Sequence, residues 1–208
     1  MLLHRIARYL PLLFGVAGLM AFLVYGVASG ELRQLRMIPV TGLVISVLLI
    51  LMGQWHRVPT RVRGRYYSVL LGAYGAGVLF MGLRPKADHY HFAELGRSRF
   101  LEAGGVSTFD VLTNVIGFIP LGFLIVVTLT AAGSQTGKLQ RFAASVLLSG
   151  AISLLIEIAQ HFIVGRASSA VDVATNGLGA LIGAVYALLY VRLWQQVPLA
   201  PTGFSADT

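Results

Sequence analysis

Long apolar segments constrain this chain more than any other feature of its sequence. A helix needs roughly 20 apolar residues to cross the hydrocarbon core of a bilayer. Six stretches without Asp, Glu, Lys or Arg approach or exceed this length, at residues 9–30, 37–55, 66–83, 111–137, 142–156 and 173–191. The fifth is short, but it continues past Glu157 to Val164 as an interrupted span. The sequence therefore predicts an all-α, polytopic transmembrane helical bundle of about six helices.

The composition agrees with this prediction and excludes other classes of protein. The chain is 56% hydrophobic and 12% charged, with a mean hydropathy of +0.78, which is far from a soluble globular domain. Its net charge is +8, but Lys and Arg lie in the short connections between apolar segments, where they anchor helix ends. We therefore expect no nucleic-acid partner. Cysteine is absent, which excludes disulfides and thiolate metal sites.

The predicted spans divide the chain into three parts. Residues 1–65 form an N-terminal extension with two spans, at about 10–29 and 38–55. A four-helix membrane domain follows over residues 66–193, and residues 194–208 form a disordered tail. The four spans of the membrane domain are predicted at about 66–83, 109–130, 142–164 and 171–193.

A short polar motif occurs twice, at the start of the fourth and of the sixth predicted span. Both copies read D-V-x-T-N-x-x-G, beginning at Asp110 and at Asp172. Each copy places an amide, Asn114 or Asn176, one turn after the carboxylate on the same helix face. One span separates the two copies, so their helices cross in the same direction and the motifs lie at the same depth. The last four helices are therefore predicted to form two pseudo-repeated hairpins.

Polar residues of three predicted spans converge on one face of the membrane. Nine Lys and Arg residues fall on the side of the N-terminus and seven on the other, so the positive-inside rule places the N-terminus in the cytoplasm and this polar face outside it. Ionisable groups within membrane spans usually pair or face a wet cavity. The candidate site residues are Asp110, Asn114, Glu157, Gln160, His161, Arg166, Asp172 and Asn176.

One interpretation of these residues is purely structural. Glu157 or Asp172 would pair with Arg166, the two asparagines would bond across helices, and the two aspartates would cap helix N-termini. The pair Gly179-x-x-x-Gly183 is open to two interpretations, an association face between copies of the chain or a contact within one monomer.

Three functional interpretations are the alternatives to this structural one. In a binding site, Arg166 would hold phosphate or carboxylate, while the amides would bond sugar or peptide groups. In an enzyme, Glu157 would be a candidate base with His161 one turn further on, although no nucleophile motif and no recognised metal spacing accompanies them. In a carrier, intramembrane carboxylates would couple ions to transport. No cofactor and no metal is expected.

Three motifs resemble the VanZ-like family of bacterial membrane proteins. They are N-x-x-G-F-I-P-L-G from Asn114, E-x-x-Q at Glu157 and R-x5-D-x3-N-x-x-G from Arg166. The resemblance covers about residues 66–191. It implies a multi-pass protein of the bacterial cytoplasmic membrane, in a family named for low-level resistance to teicoplanin, a glycopeptide that acts on wall precursors outside the cell. The expected ligand is accordingly a lipid-linked wall precursor or a glycopeptide. Membrane lipids are expected as further partners.

Overall fold

The structure is a computed structural model that describes residues 47, 50–55, 57–83, 108–163 and 168–195. Four long helices make up most of this part of the chain. Within these ranges the chain is helical and has no strand. Each helix is long and apolar enough to cross a membrane, as in a multi-pass membrane protein. The helices, which correspond to the third to sixth predicted spans, are α1 (Thr60–Leu83), α2 (Thr108–Ala131), α3 (Lys138–Gln160) and α4 (Ala170–Gln195). The span predicted at 10–29 and residues 196–208 lie outside the described residues, whereas α4 continues to Gln195 and so includes the first two residues of the predicted tail.

Two helices differ from their predicted bounds. α1 begins at Thr60 rather than near residue 66, and α3 covers Lys138–Gln160 rather than about 142–164. The predictions began each span after its last basic residue. However, the long stems of Arg and Lys keep their charge at the membrane surface while the helix continues beneath them. Both helices therefore include basic residues in their first turns.

The segment before α1 packs against that helix through aromatic side chains. The Tyr66 hydroxyl donates to the Leu51 carbonyl at 2.8 Å, and the Tyr67 hydroxyl donates to the Met52 carbonyl at 3.0 Å. The Trp55 and Tyr67 rings lie 5.5 Å apart between centroids. The end of the span predicted at 38–55 is thus held on α1.

Consecutive helices run antiparallel. Near the start of α1, Gly64 lies against the end of α2, where a Cβ on it would be 3.3 Å from the Ala131 carbonyl oxygen. Near the end of α3, Glu157 bonds to the backbone of Ser169, directly before α4. The end of α1, the start of α2, the end of α3 and the start of α4 therefore lie on the same face of the bundle.

α2 and α4 pack backbone against backbone and run in the same direction. Gly179 lies on the backbone of Val115, and one turn further along both helices Gly183 lies on the backbone of Ile119. A Cβ on either glycine would overlap those carbonyl oxygens, and Gly122 is placed against α4 in the same way. The predicted shared direction is thus observed. The Gly179-x-x-x-Gly183 pair packs within the monomer, and the pseudo-repeat itself stays a prediction.

The core is centred on α2, which contacts each of the other three described helices. The Phe123 ring packs against Tyr186 and Tyr190 of α4, with centroid distances of 5.6 and 5.3 Å. α2 continues through Pro120 to Ala131. Its fully buried side chains are Leu121, Phe123, Leu124, Val126 and Val127.

Candidate functional site

Acidic and basic side chains lie at opposite ends of the described bundle. The end formed by the last turn of α1, the first turns of α2 and α4 and the last turns of α3 is here called the acidic face, and the other end the basic face. Among the described residues, the acidic face carries Asp110, Glu157 and Asp172. The basic face carries Arg57, Arg61, Arg63, Arg65, Lys138, Arg141 and Arg192.

Glu157 holds the start of α4 against the end of α3. Its side chain is only 2% exposed, and Oε2 accepts a 2.7 Å hydrogen bond from the backbone N–H of Ser169. Ser169 in turn caps α4, because its Oγ accepts from the Val171 N–H at 3.2 Å. The carboxylate therefore lies at the positive end of the α4 dipole, where a negative charge is stabilised.

Asn176 of the second motif connects α4 to α3. Its Nδ2 donates to Ser153 Oγ at 2.9 Å, and the side chain is buried. The predicted interhelix bond is thus present for this asparagine. Asn114 of the first motif is half-buried and makes no side-chain hydrogen bond to another described residue.

Three serines, here called the serine ladder, lie on one face of α3 before Glu157. Ser145, Ser149 and Ser153 follow at intervals of four residues, and all three are fully buried. Ser145 Oγ donates to the Gly122 carbonyl at 2.8 Å, which ties α3 to α2. The ladder was not among the predicted site residues. Its signal was the four-residue spacing, which places the hydroxyls on one helix face that continues to Glu157.

Two further hydrogen bonds tie α1 to the site. Gln160 Nε2 donates to the Gly82 carbonyl at 2.9 Å, so a predicted site residue fixes the end of α1. The Tyr74 hydroxyl donates to the carbonyl of Gly117, the glycine of the first motif. Tyr74 was not among the predicted site residues.

The two motif aspartates lie within the first turns of their helices. α2 begins at Thr108 and α4 at Ala170, with Ser169 as the cap of α4. Neither aspartate is therefore the N-cap, and that interpretation is wrong. Asp110 is exposed and Asp172 is half-buried, in positions where the helix dipole favours a carboxylate.

The remaining candidates are less closely connected to the cluster. His161 follows the end of α3 and is exposed, with its ring 5.4 Å from the Phe162 ring between centroids. Arg166 lies outside the described residues, so its pairing with Glu157 or Asp172 stays a prediction. Within the ranges that the structure describes, no three His, Asp or Glu side chains come together as metal ligands.

The candidate site residues lie within the part of the chain that matches a protein-family model. A family model described as VanZ/LLP1 matches residues 40–192, which is more than half of the chain. The chain belongs to the VanZ/LLP1 family. Neither a curated protein nor a solved structure matches it.

The structure divides the candidate residues of this VanZ/LLP1 chain into two groups. Glu157, Gln160 and Asn176 are buried and make hydrogen bonds between neighbouring parts of the bundle. Asp110, Asn114 and Asp172 are exposed or half-buried at the same face. The first group fixes the relative positions of the helices, and the second lies at the surface of the acidic face.

Proposed function

We propose that this VanZ/LLP1 protein binds a cell-envelope molecule at its acidic face. The observation that carries the proposal is the division of the polar residues into two groups. Buried hydrogen bonds from Glu157 and Asn176 hold α3 and α4 in fixed register, while Asp110 is exposed and Asp172 is half-buried at the starts of two helices that pack together. A site whose supporting residues are fixed in this way is preorganised for a ligand.

The chemistry of the accessible residues favours a ligand rich in hydroxyl, amide or amine groups. Carboxylates accept hydrogen bonds, and the Asn114 amide both donates and accepts them. Arg166 is proposed to bind a phosphate or carboxylate of the same ligand. Ile158 and Phe162 are exposed beside the site and offer an apolar surface to a lipid tail. A lipid-linked wall precursor or a glycopeptide antibiotic combines these features.

The charge distribution supports the orientation that this ligand requires. Short basic connections are retained in the cytoplasm, and nine Lys and Arg residues belong to the side of the basic face against seven on the side of the site. The acidic face is therefore proposed to open outside the cytoplasmic membrane, where wall precursors and glycopeptides are found. A contribution to teicoplanin resistance follows as part of the same proposal.

The geometry of Glu157 favours this binding role over catalysis. A general base has to come within hydrogen-bond reach of the proton that it removes. The Glu157 side chain is buried, and its Oε2 is occupied by the Ser169 N–H. We therefore propose that Glu157 positions the site, and the enzyme interpretation remains the alternative to be tested.

Binding to the protein in lipid nanodiscs tests the proposal. The probes are teicoplanin and a lipid-linked disaccharide-peptide precursor. Hydrogen bonds to charged groups contribute about 1.5–3 kcal/mol, so Asp110→Asn and Asp172→Asn are each expected to weaken binding at least tenfold. Arg192→Gln, at the opposite face, serves as the control and should bind as the unmodified chain does.

Two outcomes would contradict the proposal. In one, the unmodified chain binds neither probe. In the other, both Asp variants bind with unchanged affinity. Conversion of the precursor that stops in a folded Glu157→Gln variant would instead establish the enzyme interpretation.

A further inference from the structure

A groove opens on the basic face, at the far end of the bundle from the acidic site. It has a volume of about 620 Å³ and lies between the first turns of α1 and the residues at the end of α2. Small residues form its floor, because Gly64 has no side chain and the neighbouring Ala131 and Ala132 have short ones. Because these side chains are small, the groove stays open above the point where the backbones of α1 and α2 approach each other.

Two arginines line the groove. Arg61 and Arg65 are one helical turn apart and both exposed. Neither makes an ion pair or a hydrogen bond with another residue of the described chain. A pair of unmatched guanidinium groups in one groove is well suited to a phosphate group, which each can contact with two parallel hydrogen bonds.

Two other arginines of the basic face are instead engaged within the protein. Arg63, between the two groove arginines, donates to the Val58 carbonyl at 3.2 Å from Nε and 2.9 Å from Nη2, and its guanidinium lies 4.4 Å from the Trp55 ring centroid. Arg141 donates to Thr130 Oγ1 at 3.1 Å and to the Ser134 carbonyl at 3.3 Å. These two arginines serve the fold.

The groove combines this charge with an apolar wall deeper in the membrane. Val69 lines it one turn beyond Arg65 and is 70% exposed. Arginines at a helix end lie at the level of lipid headgroups, and an exposed valine one turn further into an apolar helix lies at the level of acyl chains. Charge and apolar surface therefore follow each other in the order found in a phospholipid.

We propose that this groove is a binding site for an anionic phospholipid, with its phosphate between Arg61 and Arg65 and an acyl chain along Val69. Basic pockets between membrane helices bind anionic headgroups in this way. A zwitterionic lipid also brings a phosphate, but its ammonium needs a carboxylate. All carboxylates of the described residues lie at the opposite face, so the site selects the anionic lipid.

Native mass spectrometry of the full chain in detergent tests this site. Phosphatidylglycerol, phosphatidylethanolamine and phosphatidylcholine with identical acyl chains are titrated separately, and inorganic phosphate is added in a competition arm. We expect one tightly retained phosphatidylglycerol and weaker retention of the other two lipids. Arg61→Gln/Arg65→Gln should weaken phosphatidylglycerol binding on the order of 30-fold, from the contribution expected of two basic residues at a membrane surface.

The matched control removes the same charge from the same face. Lys138→Gln/Arg192→Gln lies outside the groove and should change the affinity less than about threefold. Ala132→Leu keeps every charge and narrows the groove, so it should also weaken retention. This second variant decides the question if the double arginine variant does not fold.

Several results would overturn the proposal. Equal losses in the groove and control variants would reduce it to general attraction between the basic face and anionic lipids. Full displacement of the lipid by inorganic phosphate would show a simple anion site. No retained lipid in the unmodified chain would mean that another occupant, such as residues 1–46 of the same chain, covers the groove.

Discussion

The Glu157 carboxylate accepts a 2.7 Å hydrogen bond from the backbone N–H of Ser169, which joins the end of one membrane helix to the start of the next. This bond satisfies a donor that the first turn of α4 cannot satisfy itself. It also brings the buried charge to the helix end where it is stabilised. The one carboxylate of α3 is thereby part of the framework of the acidic face.

Replacing Glu157 by alanine is expected to destabilise the bundle. The Ser169 N–H would lose its acceptor in a half-buried position, and an unsatisfied donor that is buried costs about 1–3 kcal/mol, so the loss should approach this range. Glu157→Gln retains an acceptor oxygen and should cost less. Denaturant unfolding in mixed micelles measures both, and equal stability of Glu157→Ala and the unmodified chain would contradict the assigned role.

Asn176 and Ser153 are expected to be energetically coupled. Hydrogen bonds between membrane helices contribute about 0.6 kcal/mol on average, with a maximum near 1.7 kcal/mol. A double-mutant cycle of Asn176→Ala and Ser153→Ala should give a coupling in this range. Thr175, whose hydroxyl bonds only within its own helix, supplies the control, because Thr175→Ala with Ser153→Ala should show none.

Adding one methyl group at Gly183 is expected to separate α2 from α4. A Cβ there would overlap the Ile119 carbonyl oxygen, and overpacking of this kind typically costs about 1–3 kcal/mol. Gly72→Ala is the matched control, because no atom lies within 4 Å of a Cβ at that exposed position of α1. The control should be neutral or slightly stabilising, since Ala favours helix over Gly. Thermal unfolding of both variants compares them, and a Gly183→Ala as stable as Gly72→Ala would refute the close packing.

The proposed orientation predicts which engineered cysteines react on intact cells. The chain has no cysteine, so Phe162→Cys reports on the acidic face and Gln135→Cys on the basic face. Both positions are exposed and lie outside the helices, whereas Ser168 is buried and would label poorly. A membrane-impermeant maleimide should label only Phe162→Cys in intact cells and both variants after permeabilisation. Labelling of Gln135→Cys alone would invert the orientation.

The sequence predicted the membrane helices well because each one is indicated by about 20 apolar residues together rather than by any single residue. The bounds predicted for α2 and α4, at about 109–130 and 171–193, lie close to Thr108–Ala131 and Ala170–Gln195. The shared direction of these helices followed from the single span between them. The start of α1 was placed too late, because a rule based on uncharged segments ignores how far arginine side chains reach.

The site was harder to predict because its decisive contacts involve backbone atoms. Glu157 bonds to an N–H, and Gln160 and Tyr74 donate to glycine carbonyl oxygens, so the side-chain pattern contains only one partner of each bond. The serine ladder on α3 interrupts the apolar pattern so little that it went unnoticed. The role of Arg166 depends on residues outside those that the structure describes, and it stays a prediction.

The parallel contact between α2 and α4 has a consequence for how the chain is made. These two helices are separated by a whole antiparallel helix, so their glycine contact forms only after α4, the last of the four, has been synthesised and inserted. Until then Ser153 and Glu157 on α3 lack their partners, the Asn176 amide and the Ser169 N–H, and lipid is a poor replacement for both. A chain truncated after α3 therefore lacks both of these hydrogen bonds, so α3 reaches its final position in the bundle only once α4 has been inserted.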